Sequence, residues 1–216
     1  MTAPNPERPV GFRAMPISRT RGPYAKTRRR REEILDAALD VFAAGGYRGS
    51  SLRDVAERVG ISHAGLLHHF SSKAELLSEV LTRRDNSASE EIGLVPGNVN
   101  GEQFLRNYAA LIERNESTRG LAELYCLLSA EATTVDHPAH DYFVGRYEYV
   151  VGLLRDAFSD LAAHGQLRPG IEPDTAAVDL VAITDGIQLQ WLLRPNATPM
   201  GATIRRYLAS VTTLEF

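Results

Sequence analysis

The side chains with the most chemistry to offer crowd into the first third of this 216-residue chain. Residues 19–31 read RTRGPYAKTRRRR, with seven cations and no anion. Such a run can be a solvated tail, or it can lie along phosphates and insert arginines into a minor groove. Shortly after it come Arg48, Ser51, Ser62, His63, His68 and Lys73, all hydrogen-bond donors. Further on stand a single thiol, Cys126, and a group comprising Asp136, His137, His140 and Asp141. That group has a spacing open to a metal ion, but at a helix start it reads better as capping and hydration. A lone cysteine within a helix is ordinarily inert filling. The chain has no G-x-S-x-G, P-loop or G-x-G-x-x-G. We therefore expect no catalytic constellation, no cofactor and no metal, and do not expect an enzyme.

Charge is divided unevenly along the sequence. Residues 1–84 carry a net +6 and residues 85–216 a net −9, which together give the overall −3. A basic head suits a polyanion and an acidic body does not. No stretch free of Asp, Glu, Lys and Arg exceeds 12 residues, so no membrane partner is expected. Without an apolar leader, and with one cysteine, the chain reads as cytoplasmic.

The elements that must position these groups are helices. Residues 1–25 hold five of the eleven prolines and show no apolar periodicity, so they are expected to form a disordered basic arm. Ile34, Ala37, Ala38, Val41 and Phe42 make an amphipathic stripe on a helix over about 26–44, ended by Gly45 and Gly46. Ser50 or Ser51 caps a second short helix through Leu52, Val55, Ala56 and Val59. Gly60 breaks it, Ser62 caps a third helix over 63–69, and a fourth opens at Lys73. Two short helices joined by a glycine turn form a helix-turn-helix. Residues 86–100 contain Pro and Gly and read as a linker or frayed helix end. Five longer helices are expected over 102–114, 118–134, 138–163, 173–193 and 199–212. The fold class is thus all-α, with about nine helices. A three-helix helix-turn-helix domain (26–84) joins a larger helical domain (85–216).

The segment AKTRRRREEILDAALDVFAAGGYRGSSLRDVAERVGISHAGLLHHFSSKAELLSEVL, residues 25–81, resembles the DNA-binding domain of the TetR family of bacterial transcriptional regulators. The resemblance implies that 26–84 is a DNA-binding domain and 85–216 a ligand-binding and dimerisation domain, and that the protein is a ligand-released repressor that binds a pseudo-palindromic, double-stranded operator as a homodimer. The alternatives are a ligand-dependent activator, or a helical small-molecule-binding protein with altered DNA reading. By resemblance the DNA-facing residues are Ser51, Ser62, His63, Ala64, Gly65, Leu67, His68 and Lys73. Arg19, Arg21, Lys26, Arg28 and Arg48 supply charge. Leu67 stands where the family usually has tyrosine, and a leucine donates no hydrogen bond. The third helix also lacks Arg, Lys, Asn and Gln, so bidentate base reading is closed to it. Its polar contacts are expected from His63 and His68, and its contacts to thymine methyls from Ala64 and Leu67.

In the body, Tyr108, Leu111, Leu121, Tyr125, Cys126, Ser129, Phe143 and Tyr147 are expected to line a cavity for a hydrophobic or aromatic effector. Leu180, Thr184, Ile187, Gln188 and Trp191, with Ile204, Tyr207 and Leu208, are expected at the dimer interface. The family layout implies that an effector shifts the helix at 102–114 and moves the fourth helix, which it abuts.

Overall fold

The computed structural model describes residues 23–92, 100–197 and 199–216, all helix and connecting loop. Arg19 and Arg21, with the rest of the basic arm before Pro23, lie outside the described residues.

Helix α1 (Pro23–Gly49) starts at a proline, where the missing N–H forfeits no bond. It begins three residues earlier than expected. Its helical geometry breaks at Gly46 (φ 67°, ψ −178°). A Cβ there would stand 2.7 Å from Glu131 Oε1 and 3.1 Å from Leu127 Cδ2, so both backbone and neighbours require glycine. Ser50 is not a cap: its hydroxyl hydrogen-bonds the backbone oxygens of Val41 and Gly46 and closes the end of α1. Ser51 caps α2 (Leu52–Val59) in a reciprocal box. Asp54 N donates to Ser51 Oγ at 3.3 Å, and Ser51 N donates to Asp54 Oδ2 at 2.7 Å. Gly60, at φ 73°, ends α2. Ser62 accepts from Gly65 N at 3.0 Å and starts α3 (His63–His69).

Helix α4 (Lys73–Ile92) does not stop where the sequence suggested a linker. It runs through Asn86–Ser89, whose weak helix formers are carried by packing. Ala88 and Ile92 join the apolar core of the body, and the hydroxyls of Ser87 and Ser89 bond back to the oxygens of Arg83 and Asp85.

The body comprises α5 (Gly101–Asn115), α6 (Arg119–Glu131), α7 (His140–Ala163), α8 (Pro173–Leu193) and α9 (Met200–Val211). A 3-10 turn (Pro195–Ala197) joins the last two. The start of α5 is pressed onto α7, since a Cβ on Gly101 would lie 2.3 Å from Ala157 O. Glu116 caps α9 by accepting from Met200 N (2.7 Å) and Gly201 N (3.1 Å). The C-terminus folds back, with Thr213 N donating to Gln166 O at 2.9 Å.

Two apolar clusters hold the chain. One unites α5, α7, α8 and α9 around Leu105, Leu154, Phe158, Leu180, Ile204 and Leu208. The other begins in the helix-turn-helix with Ile34, Phe42, Leu66 and Phe70 and continues into Leu124 and Leu128 of α6 and Phe143 of α7. The expected boundary at residue 84 falls inside α4, and the second cluster holds residues from both sides of it.

This packing corrects the expected dimer surface. Leu180, Thr184, Ile187, Trp191, Ile204 and Leu208 are buried within the chain itself. Tyr207 is half-buried, its hydroxyl donating to Ala176 O, and Gln188 faces a cavity. The outward line on α8 is instead Val178, Ala182, Leu189 and Leu193, spaced by 4, 7 and 4 residues along one helical face. Among the described residues, α8 is also the helix whose length and composition would permit a membrane crossing. Here its inner face lies in the chain's own core.

Because α6 completes the core of the helix-turn-helix, Leu124→Ala should destabilise the reader although it lies outside it. The expected loss is about 2–5 kcal/mol. Urea unfolding followed by fluorescence and by far-ultraviolet circular dichroism measures it. A loss under 1 kcal/mol would mean the two parts hold together separately.

Candidate nucleic-acid interface and effector cavity

Helix α3 is pinned by its buried residues. Leu66 and Phe70 are fully buried, which turns Ser62, His63, Ala64, Leu67 and His68 outward. Leu67 keeps 39% of its surface exposed, unusual for a leucine and suited to apolar contact with a base edge. Gly65 is half-buried, and a Cβ on it would stand 3.3 Å from Ser62 Oγ, crowding the cap. The Ser51 oxygen accepts its capping bond, which leaves its hydroxyl proton available to a phosphate at the N-terminus of α2.

The cations divide into free and committed ones. Lys26, Arg28 and Arg48 are exposed. Arg29 and Arg30 pair with Glu33 at 3.1 and 2.8 Å. Arg31 is structural: it donates to His69 O, stacks 4.1 Å above the Phe70 ring and lies 3.7 Å from Glu79. His69 is half-buried against α1, which fits a packing role. Lys73 is likewise a tie, a correction to its expected role as a free phosphate donor. Its ammonium donates to Ser50 O and sits 4.3 Å over the Tyr47 ring. Burial lowers its pKa, despite the opposing pull of Glu131 and Asp54.

The loop before α2 is clamped from the body by Glu131. Its Oε2 accepts from Tyr47 N at 2.8 Å and lies 3.7 Å from His137 Nε2. The His137 ring packs edge-on against Tyr47, with centroids 5.1 Å apart. Its Nδ1 accepts from Ala139 N, so the proton sits on Nε2, which is buried without a hydrogen-bond partner. His140 turns away to Ala132 O at 2.8 Å, while Asp136 and Asp141 are exposed. The four residues are thus dispersed. Among the described residues no group of three or more His, Cys, Asp or Glu side chains could hold a metal ion.

Between α4, α5, α6, α7 and α8 lies a cavity of about 490 Å³, within the range of small-molecule sites. All eight residues expected to line it do so, from Tyr108 to Tyr147. The sequence reading missed its charged wall: Arg84 and Asp85 from α4, Arg146 from α7 and Asp185 from α8. Asp85 Oδ1 accepts from Tyr125 Oη (3.1 Å) and Arg146 Nε (3.2 Å), and Oδ2 accepts from Tyr142 Oη. One carboxylate of α4 is therefore bound by both α6 and α7. Burial, with Asp85 nearby, pushes the Tyr125 phenol up to about 12, and burial raises Tyr142 further. Thr184 gives its proton to Leu180 O, so Tyr108 must donate to Thr184 Oγ1 at 2.9 Å. Burial raises the Cys126 thiol, which disfavours the reactive thiolate. Helix α5 does abut α4, as expected: Asn107 Nδ2 donates to Ile92 O (2.9 Å) and Arg84 to Asn115 Oδ1 (3.0 Å).

A family profile described as bacterial regulatory proteins, tetR family, matches residues 34–80, and one described as BetI-type transcriptional repressor, C-terminal, matches residues 102–213. The chain belongs to the TetR family. It is 44% identical over 197 residues to the transcriptional repressor KstR2 of Rhodococcus jostii (strain RHA1), covering 84% of this chain and 89% of that one. Against KstR2 of Mycolicibacterium smegmatis it is 42% identical over 195 residues, covering 84% and 88%. A TetR-family regulator from Agrobacterium tumefaciens shares the fold with a TM-score of 0.75 at 22% identity, over 86% of this chain and 99% of that one. A regulator from Saccharomonospora viridis in complex with choline has a TM-score of 0.71 at 20% identity, over 86% and 98%. As a TetR-family member with a complete helix-turn-helix, the chain is a DNA-binding transcriptional regulator.

The imidazoles of His137 and His69 give this joint a pH dependence. Burial holds His137 and His69 below the ordinary histidine range; positive neighbours add to the effect at His69. Unfolded, each takes a proton near pH 6.5, and folded, only at lower pH. The unfolded state then binds more protons, so stability falls as pH drops below about 6.5. His137→Phe, packed in the same place beside Tyr47, should remove part of that fall. Urea unfolding of both proteins at pH 7.5 and 5.5 is the measurement, and an unchanged pH dependence would count against His137.

Proposed function

We propose that the protein is a repressor that binds a pseudo-palindromic operator as a homodimer in the cytoplasm and releases it when a small, largely apolar effector fills the cavity. The observation that carries this reading is the double use of α4. Its N-terminal end is tied through Lys73 to the loop before α2, and its C-terminal half supplies Arg84, Asp85, Ala88 and Ile92 to the cavity wall. An effector that favours one arrangement of that wall thereby favours one placement of α3. It must bind the DNA-incompetent arrangement more tightly, since equal affinity shifts nothing.

The dimer is needed because a seven-residue helix with histidines and apolar side chains reads few bases. Two copies related by a two-fold axis present two such helices about one DNA turn apart. The outward apolar line on α8 supports a self-complementary contact, with Val178 at 53% and Leu193 at 74% exposure. The similarity to proteins named as repressors supports repression over activation. In DNA binding, Ser51, His63, Ala64, Leu67 and His68 would face the groove and its phosphates. Lys26, Arg28 and Arg48 would carry the charge, and Arg19 and Arg21 would follow the minor groove.

Selection of bound sequences from random DNA should return a two-fold symmetric site. On that site, Arg28→Ala removes one phosphate contact per protomer. The log–log salt slope of binding should then flatten by about 2, similarly on all sequences. His68→Ala should instead relax preference at one position per half-site, by about 1–3 kcal/mol. A uniform loss for His68→Ala would move it from base reading to backbone contact.

Val178→Glu with Leu193→Glu should convert the dimer to monomer in sedimentation velocity and abolish binding to the symmetric site. A double variant that stays dimeric would locate the interface elsewhere.

A further inference from the structure

We propose that the effector is an anion: an apolar body ending in a carboxylate that Arg146 grips, drawing its guanidinium away from Asp85 and so loosening α4. The inference rests on the ligand-released reading above and adds to it the chemical class of ligand and the contact it breaks.

The cavity wall is unequal in what its charged groups have left to offer. Asp85 is largely occupied, its two oxygens accepting from Tyr125, Tyr142 and Arg146, and only 13% of its side chain is exposed. Arg146 is in the opposite position. Of its five N–H donors, Nε–H alone has an acceptor among the described residues. Its guanidinium carbon lies 4.7 Å from the centre of the Tyr125 ring, and the side chain lines the cavity. Arg84, on the same wall, donates to the neutral Asn115 and forms no ion pair among the described residues. Two arginines thus line the α4–α7 side beside one carboxylate, and of the two Arg146 is the one bonded to it. On the α8 side, Asp185 already accepts from Tyr147 Oη at 2.8 Å, and burial raises its pKa, which weakens it as a partner for a cation.

Two terminal amino groups on one planar fork match the two oxygens of a carboxylate. The remaining wall, with Phe104, Leu111, Ile112, Leu121, Leu153 and Val181, offers apolar surface to the rest of such a molecule. Arg146 holds α7 to α4 through a single bond to Asp85. A ligand carboxylate that takes the fork competes with that bond. Asp85 then keeps its two phenols but loses its counter-charge in a buried site, an arrangement that favours movement of α4.

The test uses 6-phenylhexanoate, 6-phenylhexan-1-ol and 6-phenylhexylamine, which share one apolar body and differ in head-group charge. The full chain is assayed for thermal stabilisation, for probe affinity by calorimetry, and for release of the selected operator. The carboxylate should bind at least about tenfold more tightly than the alcohol and the amine, and it alone should release DNA. Arg146→Gln should abolish carboxylate binding. Arg146→Lys keeps a charge for Asp85 but lacks the fork, and should weaken binding about tenfold while remaining folded by circular dichroism.

Equal binding of amine or alcohol, carboxylate binding that survives in Arg146→Lys unchanged, or no carboxylate binding at millimolar concentration would each overturn the inference. Carboxylate binding that depends on Arg146 but leaves operator affinity unaltered would uphold the ligand class and refute ligand release instead.

Discussion

The apolar cluster around Phe42 and Phe70 is too large for the helix-turn-helix to contain and too small for it to complete alone. About sixty residues bury a marginal core, and the reader borrows the rest of its packing from Leu124, Leu128 and Phe143 of the body. Everything else in the molecule is arranged around that shared core. It fixes α6 along α1, brings Glu131 to the backbone of Tyr47, and demands glycine at position 46, where the two meet. A change in the placement of α6 or α4 cannot leave the reader untouched, because no seam of solvent divides them.

The parts of the fold that were legible in the sequence are those fixed by local chemistry. Ser51, Gly60 and Ser62 mark their helix ends by capping and by positive φ, and Pro173 marks the start of α8, so these boundaries fell within a residue or two. The apolar and phenolic lining of the cavity was readable because it recurs on one face of α5 and α6. What was not legible depends on tertiary context. Asp85, Arg146 and Asp185 look like ordinary solvated charges on helices, and only the packing of the helices brings them onto the wall of one cavity. The run from Asn86 to Ser89 is a poor helix by propensity and becomes one because Ile92 has a core to enter. Helix α8 is apolar around much of its circumference, so periodicity could not tell the face turned to α5, α7 and α9 from the face turned outward. Lys73 and Arg31 carry charge in a DNA-binding head, yet each is held by a backbone carbonyl and an aromatic ring.

The electrostatic asymmetry seen in the sequence acquires a shape in the structure. Several cations of the head are neutralised locally: Arg29 and Arg30 by Glu33, Arg58 by Asp40, and Arg83 by Glu32 and Asp36. The unneutralised charge among the head's described residues is thereby concentrated toward the start of α1 and at Arg48 and Arg53. Those exposed cations lie in the head, while the body carries the net negative charge.

The unbroken course of α4 has a mechanical consequence. From Lys73 to Asp85 the helix rises about 18 Å at 1.5 Å per residue. A rigid rod of that length magnifies angle into distance, and a tilt of about 5° at the Asp85 end carries the Lys73 end by roughly 1.5 Å. Hydrogen bonds to phosphates and bases tolerate only a few tenths of an ångström. Under the proposed ligand release, a displacement in the cavity smaller than an atomic radius would be amplified along α4 into a misfit on DNA, and a two-fold dimer would suffer it at both half-sites at once.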